Sequence, residues 1–294
     1  MPWIQIKVRV PAAKVKKASS MLQGAGAQAV TYTDAADAPV YEPPVGSTKL
    51  WADTVVTGLF EADAKHKKIS QFLLAHLGAD ASCSVELLED KDWVREWMEH
   101  FHPMRFGSRL WICPSWCPPP DPDAVNVMMD PGLAFGTGTH PTTAMCLEFL
   151  DSCDLTGKFM VDYGCGSGIL AVAALKLGAT RAVGIDIDPQ AVQATEENAR
   201  RNGVTSGIQV LISNDRPETL SADILVANIL AGPLKELAPD IQALVRPGGQ
   251  LALSGVLETQ AQETAAVYSR WFEIQEIRSR EEWSIITAVR KEGV

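Results

Sequence analysis

Residues 158–188, KFMVDYGCGSGILAVAALKLGATRAVGIDID, constrain the fold more than any other stretch of this chain. An apolar run from Phe159 to Val161 ends in Asp162 and then in three alternating glycines, Gly164, Gly166 and Gly168. An apolar, helix-like segment follows and closes at Gly178, and a second apolar run ends in Asp186. That order reads as strand, Gly-rich turn, helix and carboxylate-terminated strand, one half of a doubly wound nucleotide-binding sheet. Glycine is needed where backbone approaches a ligand closely or takes a positive φ. A carboxylate about 20 residues past such a turn sits where a ribose diol is held. Asp186 is the residue so placed.

The type of turn narrows the nucleotide. A dinucleotide fingerprint reads G-x-G-x-x-G, whereas this chain reads Gly164-Cys165-Gly166-Ser167-Gly168 with Asp162 just before it. The tighter G-x-G-x-G resembles motif I of the S-adenosylmethionine-dependent methyltransferases. That cofactor has no pyrophosphate to cradle, but it presents a positive amino group and a ribose, which suit Asp162 and Asp186. The competing readings are an NAD site and a Gly-rich turn that binds nothing; the Asp-terminated second strand counts against the latter.

A chain of 294 residues is long for one compact domain, so two are expected. An apolar share of 46% supports a substantial core. No apolar run approaches the ~20 residues of a membrane span, and MPWIQIKVRV lacks the shape of a signal peptide. The six cysteines form no C-x-x-C pair and are too sparse for a disulfide scaffold. A cytoplasmic, monomeric protein without a metal and without a membrane partner is expected. The net charge of −10 argues against direct nucleic-acid binding, which needs a basic face, and is compatible with a basic protein substrate.

Alternation of Ile4, Ile6, Val8 and Val10 with Gln5, Lys7 and Arg9 predicts a half-buried strand. A helix over 12–24, strands over 28–33 and around 50–60, a helix over 64–77 and a strand over 82–88 follow. The order βαββαβ predicts a small ferredoxin-like α+β domain over 1–90. It has no Gly-rich or catalytic constellation, which suits a substrate-recognition domain. Residues 91–101 are expected to form a linker helix, with Trp93, Trp97 and Phe101 at i, i+4, i+8 either packed on a neighbouring domain or docking substrate.

The remainder, 102–294, continues the α/β pattern. Strand-like pieces at 110–113 and 125–129 precede DPGLAFGTGTHPTT, residues 130–143, a Gly-rich loop feeding a helix N-terminus. Hydroxyls and free N–H groups at such an end can bind a carboxylate, and the methionine end of the cofactor carries one. His140 in this loop is either a base or a positional residue. Further strands over 208–212, 223–227, 250–254, 272–278 and 283–290 alternate with helices over 189–202, 234–245 and 259–270. Seven strands ending in a short-looped hairpin match a doubly wound, Rossmann-like methyltransferase sheet. Gly164, Asp186 and Asn228 all fall at carboxyl ends of its strands, where such sheets bind ligands.

The assembled sequence resembles the bacterial ribosomal protein L11 methyltransferase family over essentially its whole length. The segments that carry the resemblance are EDKDWVREWMEHFHPMRFG, DPGLAFGTGTHPTT, VDYGCGSGIL, GIDIDP, VANILAGP and EEWSIITAVRK. The loop and VANILAGP are the specific ones, because motif I alone names only a superfamily. The resemblance implies an S-adenosyl-L-methionine-dependent protein N-methyltransferase acting on lysine side chains and the N-terminal α-amine of a basic large-subunit ribosomal protein. It places cofactor binding at Thr143, Gly164, Asp186 and Asn228, and Gly166 belongs to the same turn. Many amine methyltransferases carry Asn/Asp-Pro-Pro-aromatic after the fourth strand; here Asn228-Ile229-Leu230-Ala231 stands instead. Asn228 can still offer a carbonyl oxygen to an amine, or else cap the next helix. A methyltransferase of RNA or of a small metabolite is the alternative, and a non-catalytic cofactor-binding regulator the second.

Overall fold

The computed structural model describes residues 3–36, 50–88, 101–130, 138–213 and 220–293. The chain divides into two compact units, Met1–His100 and Phe101–Val294. The first holds β1 (Trp3–Pro11), α1 (Val15–Gly24), β2 (Ala29–Asp34), β3 (Asp53–Glu61), α2 (His66–Leu77) and β4 (Ser82–Leu88). Its sheet is antiparallel in the order β2-β3-β1-β4, the ferredoxin-like arrangement expected. Ile4, Ile6, Val8 and Val10 are at most 1% exposed and meet Val15, Ala18 and Leu22 of α1 and Leu73 and Leu77 of α2. Period-two burial on the strand against helical spacing on both helices produces this single core. A cavity of 630 Å³ between the two helices, floored by Met21, Ile69 and Phe72, contains none of the motif residues.

The second unit opens with a three-stranded sheet in the order β5-β6-β7, from β5 (Met104–Phe106), β6 (Leu110–Cys113) and β7 (Val125–Met128). The sequence pattern did not reveal β5, which is only three residues long. Residues 89–100 lie outside the described residues, and with them most of the expected linker helix. Phe101, assigned to that helix, is not helical; it is buried in the second unit with its ring centroid 6.3 Å from that of Trp116.

The large sheet follows, built from β8 (Phe159–Tyr163), β9 (Arg181–Asp186), β10 (Ile208–Ile212), β11 (Ala222–Asn228), β12 (Val245–Leu257), β13 (Phe272–Arg280) and β14 (Trp283–Arg290). Its order is β10-β9-β8-β11-β12-β14-β13, parallel except at β14. The helices are α3 (Pro141–Ser152), α4 (Ile169–Lys176), α5 (Pro189–Arg201), α6 (Ala231–Glu236), α7 (Ala238–Leu244) and α8 (Glu258–Tyr268). Central strands such as β8 and β11 are buried almost without interruption, as strands covered on both faces must be. Val161, Tyr163, Val183, Ile185, Leu225 and Leu253 join α6, α7 and α8 in one core. Residues of the alternate register face the other helix layer, as Asp162 does in meeting Ala171 of α4. Two elements differ from expectation. The helix read over 234–245 is broken at Leu237, because Pro239 begins a new helix. The fifth strand runs well past 250–254 in both directions.

The strand order reverses between β8 and β11, which makes that junction the topological switch point. Tyr163 pairs with Ile185 on one side and with Ala227 on the other. Gly164, Asp186 and Asn228 each stand one residue beyond, so the register sets all three at one level of the carboxyl edge.

Candidate active site

The turn after β8 is built from left-handed backbone: Gly164, Gly166 and Gly168 have φ of 79°, 53° and 75°. A Cβ at Gly164 would overlap Cγ2 of Ile229, and one at Gly168 would overlap the Thr195 side chain. Glycine is therefore required twice over at both positions, by conformation and by space. The N–H groups of Gly164 and Cys165 both donate to the Ile185 carbonyl, at 2.7 and 3.1 Å, fastening the turn to β9.

Asp186 caps that edge, half-buried at the end of β9. Its Oδ2 accepts from Gly166 N at 2.9 Å and its Oδ1 from Asp188 N at 3.0 Å. One carboxylate thus holds the glycine turn and the entry to α5 while keeping part of its surface free. Asp188, as N-cap, accepts from Gln190 N at 2.9 Å, with Pro189 in the first helical turn.

Asp162 takes a different place from the one expected. Instead of meeting an amino group at the surface, it is fully buried beneath the turn. Oδ2 accepts from Ala171 N at 3.1 Å, and Oδ1 has no hydrogen-bond partner among the described residues. Burial pushes its pKa up to about 7; the Ala171 N–H lowers it and the Asp186 charge raises it further. Asp162 therefore ties the start of α4 to β8 beneath the turn.

On the other side of the switch point, Asn228 ends β11. Its Nδ2 donates to Thr143 Oγ1 at 3.2 Å, while Oδ1 is buried and without a partner among the described residues. An amide pinned through its nitrogen presents its carbonyl as an acceptor in a fixed direction. The helix-capping alternative is not what the structure shows: the N-cap of α6 is Leu230, with no side-chain bond. Thr142 and Thr143 are 1% exposed in the first turn of α3, and His140 is the N-cap of that helix. The ring of His140 is thereby committed to holding a turn, which favours the positional reading over the base. Phe135 and the rest of 131–137 lie outside the described residues.

Sequence reasoning missed the groups that clamp the turn from α5. Thr195 Oγ1 donates to the Gly166 carbonyl at 3.1 Å and Asn198 Nδ2 to the Ser167 carbonyl at 2.9 Å. Both are buried polar side chains on the inward face of an amphipathic helix, and polar residues interrupting an apolar stripe are the signal that could have found them. Cys165 is buried within the turn, and burial pushes its thiol pKa up, away from the reactive thiolate. Among the described residues no group of three or more His, Cys, Asp or Glu could hold a metal ion, and no helix is long and apolar enough to cross a membrane.

The sequence model described as ribosomal protein L11 methyltransferase (PrmA) matches residues 2–291. The chain belongs to the ribosomal protein L11 methyltransferase family. A ribosomal protein L11 methyltransferase of Tolumonas auensis is 60% identical over 291 residues, covering 99% of this chain and 100% of the relative. The one from Aeromonas salmonicida is 58% identical over 293 residues, with both chains fully covered. Among solved structures, a ribosomal protein L11 methylase from Lactobacillus delbrueckii subsp. bulgaricus aligns with a TM-score of 0.59 at 31% identity. That alignment covers 65% of this chain and all of that one. Membership makes this chain an S-adenosylmethionine-dependent methyltransferase on a Rossmann-like sheet, in agreement with the glycine turn and the strand order.

Proposed function

We propose that this chain methylates amino groups of ribosomal protein L11, lysine side chains and the N-terminal α-amine, at the switch point between β8 and β11. The observation that carries the reading is the pairing of Asp186 with Gly166 on one side and Asn228 with Thr143 on the other. It occurs in a chain that its family matches over residues 2–291. Thr143, Gly164, Gly166, Asp186 and Asn228 are assigned to the cofactor. The residues fit such a group: a turn where side chains are excluded and a half-exposed carboxylate for a diol, with Asn228 bonded to Thr143 across the switch point.

When bound, S-adenosylmethionine supplies an electrophilic sulfonium methyl group. The chain's own contribution is positional, and holding two reactants in a near-attack pose is worth several kcal/mol. Asn228 Oδ1 accepts an N–H of the incoming amine, directing the nitrogen lone pair. Deprotonating the amine at pH 7 costs about 4.6 kcal/mol for lysine but about 1.4 for an α-amine, on reference pKa values.

Residues 1–90 are assigned to substrate recognition, 91–101 to a linker and 102–294 to chemistry; the absence of the glycine turn and its carboxylate from the first unit supports that division. The chain is expected to act as a monomer in the cytoplasm, without direct nucleic-acid contact. Intact-mass spectrometry of purified L11 after incubation with the chain and cofactor tests the reading. Successive methyl additions at amines are expected. Label entering ribosomal RNA or a small-molecule fraction while L11 stays unmodified would refute it.

A further inference from the structure

We infer that His140 is a positioning residue whose neutral imidazole holds the first turn of α3 in its cofactor-binding geometry, so that protonating this ring weakens cofactor binding. The inference rests on the assignment of Thr143 and Asn228 to the cofactor site.

Helix N-caps are ordinarily Ser, Thr, Asp or Asn, whose side chains accept regardless of pH near neutrality. Here the cap is a histidine. Nδ1 lies 3.3 Å from Thr142 N and 2.8 Å from Thr142 Oγ1. A backbone N–H can only donate, so Nδ1 is the acceptor and the ring proton sits on Nε2. Protonation turns Nδ1 into a donor. It then faces the Thr142 N–H as donor against donor, at a helix end that is already positive, and can bond only the Thr142 Oγ1 beside it, so the backbone N–H loses its cap. Thr142 is 1% exposed, which leaves little room for water to take over the lost bond.

The ring is fixed by its surroundings. Trp283, buried at the start of β14, meets it edge-on with centroids 5.0 Å apart. Glu281 and Glu282 of the β13–β14 turn face it and favour the cation, but burial outweighs them and holds the pKa below the ordinary value. Glu148, further along α3, is engaged by Arg278 and Arg280. Below the capped residue, Thr143 is bonded to Asn228. The first turn of α3 is thus held by His140 at its start and by Asn228, whose Oδ1 has no partner among the described residues, so loosening the His140 anchor shifts the Thr143–Asn228 pair that borders the site.

Titration calorimetry with S-adenosylhomocysteine tests this without an amine substrate, whose own titration would obscure the effect. Wild type, His140→Asn and His140→Ala are compared at pH 7.5 and 5.0, each verified as folded by thermal melting. Asn keeps an accepting cap at both pH values; Ala keeps none. Between pH 7.5 and 5.0 wild type should lose about threefold or more in affinity beyond any loss shared with His140→Asn, because only the wild-type cap is an imidazole that protonation can disable. His140→Ala should bind weakly at both. Equal pH dependence in wild type and His140→Asn, or tight binding by His140→Ala at pH 7.5, would overturn the inference and leave the site standing. No binding by wild type at pH 7.5 would overturn the site assignment and the inference with it.

Discussion

Asp186 carries two loads, the Gly166 N–H of the turn and the ribose it is assigned to hold. Hydrogen bonds to a charged group contribute about 1.5–3 kcal/mol, so Asp186→Ala should weaken cofactor binding roughly 10- to 100-fold by calorimetry. Unchanged affinity would remove Asp186 from the site. Asp162 makes a prediction in pH. Its folded-state pKa of about 7 lies above the roughly 3.9 of an unfolded aspartate, so between those values the folded state binds more protons. Stability from this group is therefore present below about pH 4 and lost as pH rises towards 7. Relative to Asp162→Asn, the wild type should lose up to about 1.4 kcal/mol per pH unit across that window in urea denaturation. Parallel stability curves for the two proteins would show that Asp162 titrates normally. Asp186 was legible from its distance past the glycine turn, whereas the burial of Asp162 was not, because sequence spacing does not say which face of β8 lies under a helix.

At the scale of elements, the turn after β8 and the segment after β11 are one mechanical unit. Ile229 sits on Gly164, and its backbone lies against Gly255 at the bulge of β12. An alanine at Gly164 must adopt a left-handed conformation, at about 1–2 kcal/mol, and must also displace Ile229. A melting temperature lower by several degrees is expected, since 1 kcal/mol corresponds to about 2–4 °C in a domain of this size. Cofactor affinity should fall with it, and adding Ile229→Ala should restore part of the loss. No recovery in the double variant would mean that backbone strain alone accounts for the damage. The glycines were readable as a turn, but their contact with a residue more than sixty positions away exists only because β8 and β11 pair. The split between α6 and α7 was signalled by Pro239, yet the apolar spacing on both sides masked it.

At the scale of the whole molecule, the proposed function assigns recognition to the first unit and chemistry to the second. A fragment beginning near His102 holds every assigned cofactor residue and should bind cofactor with near-native affinity. Its turnover on intact L11 should collapse, because losing a docking unit removes the effective concentration that tethering supplies. Calorimetry and mass spectrometry on the same preparation read the two effects separately. Full activity of the fragment on L11 would overturn the division. Both folds were legible as element orders, βαββαβ and then alternating strands and helices, because hydrophobic period distinguishes strand from helix locally.

The sequence alone therefore determined the two fold classes, the glycine turn, the carboxylate and amide at strand ends, and the family. Each is a property of local spacing or of short motifs read in order. Tertiary structure decided which of these groups touch. It buried Asp162 under the turn, tied Asn228 to Thr143, made His140 a cap instead of a free base, and enlisted Thr195 and Asn198 as clamps. The physical reason is that hydrogen bonds and desolvation act over a few ångströms, while the partners lie 2 to 85 residues apart in the chain. Only sheet register and helix packing set which of them meet.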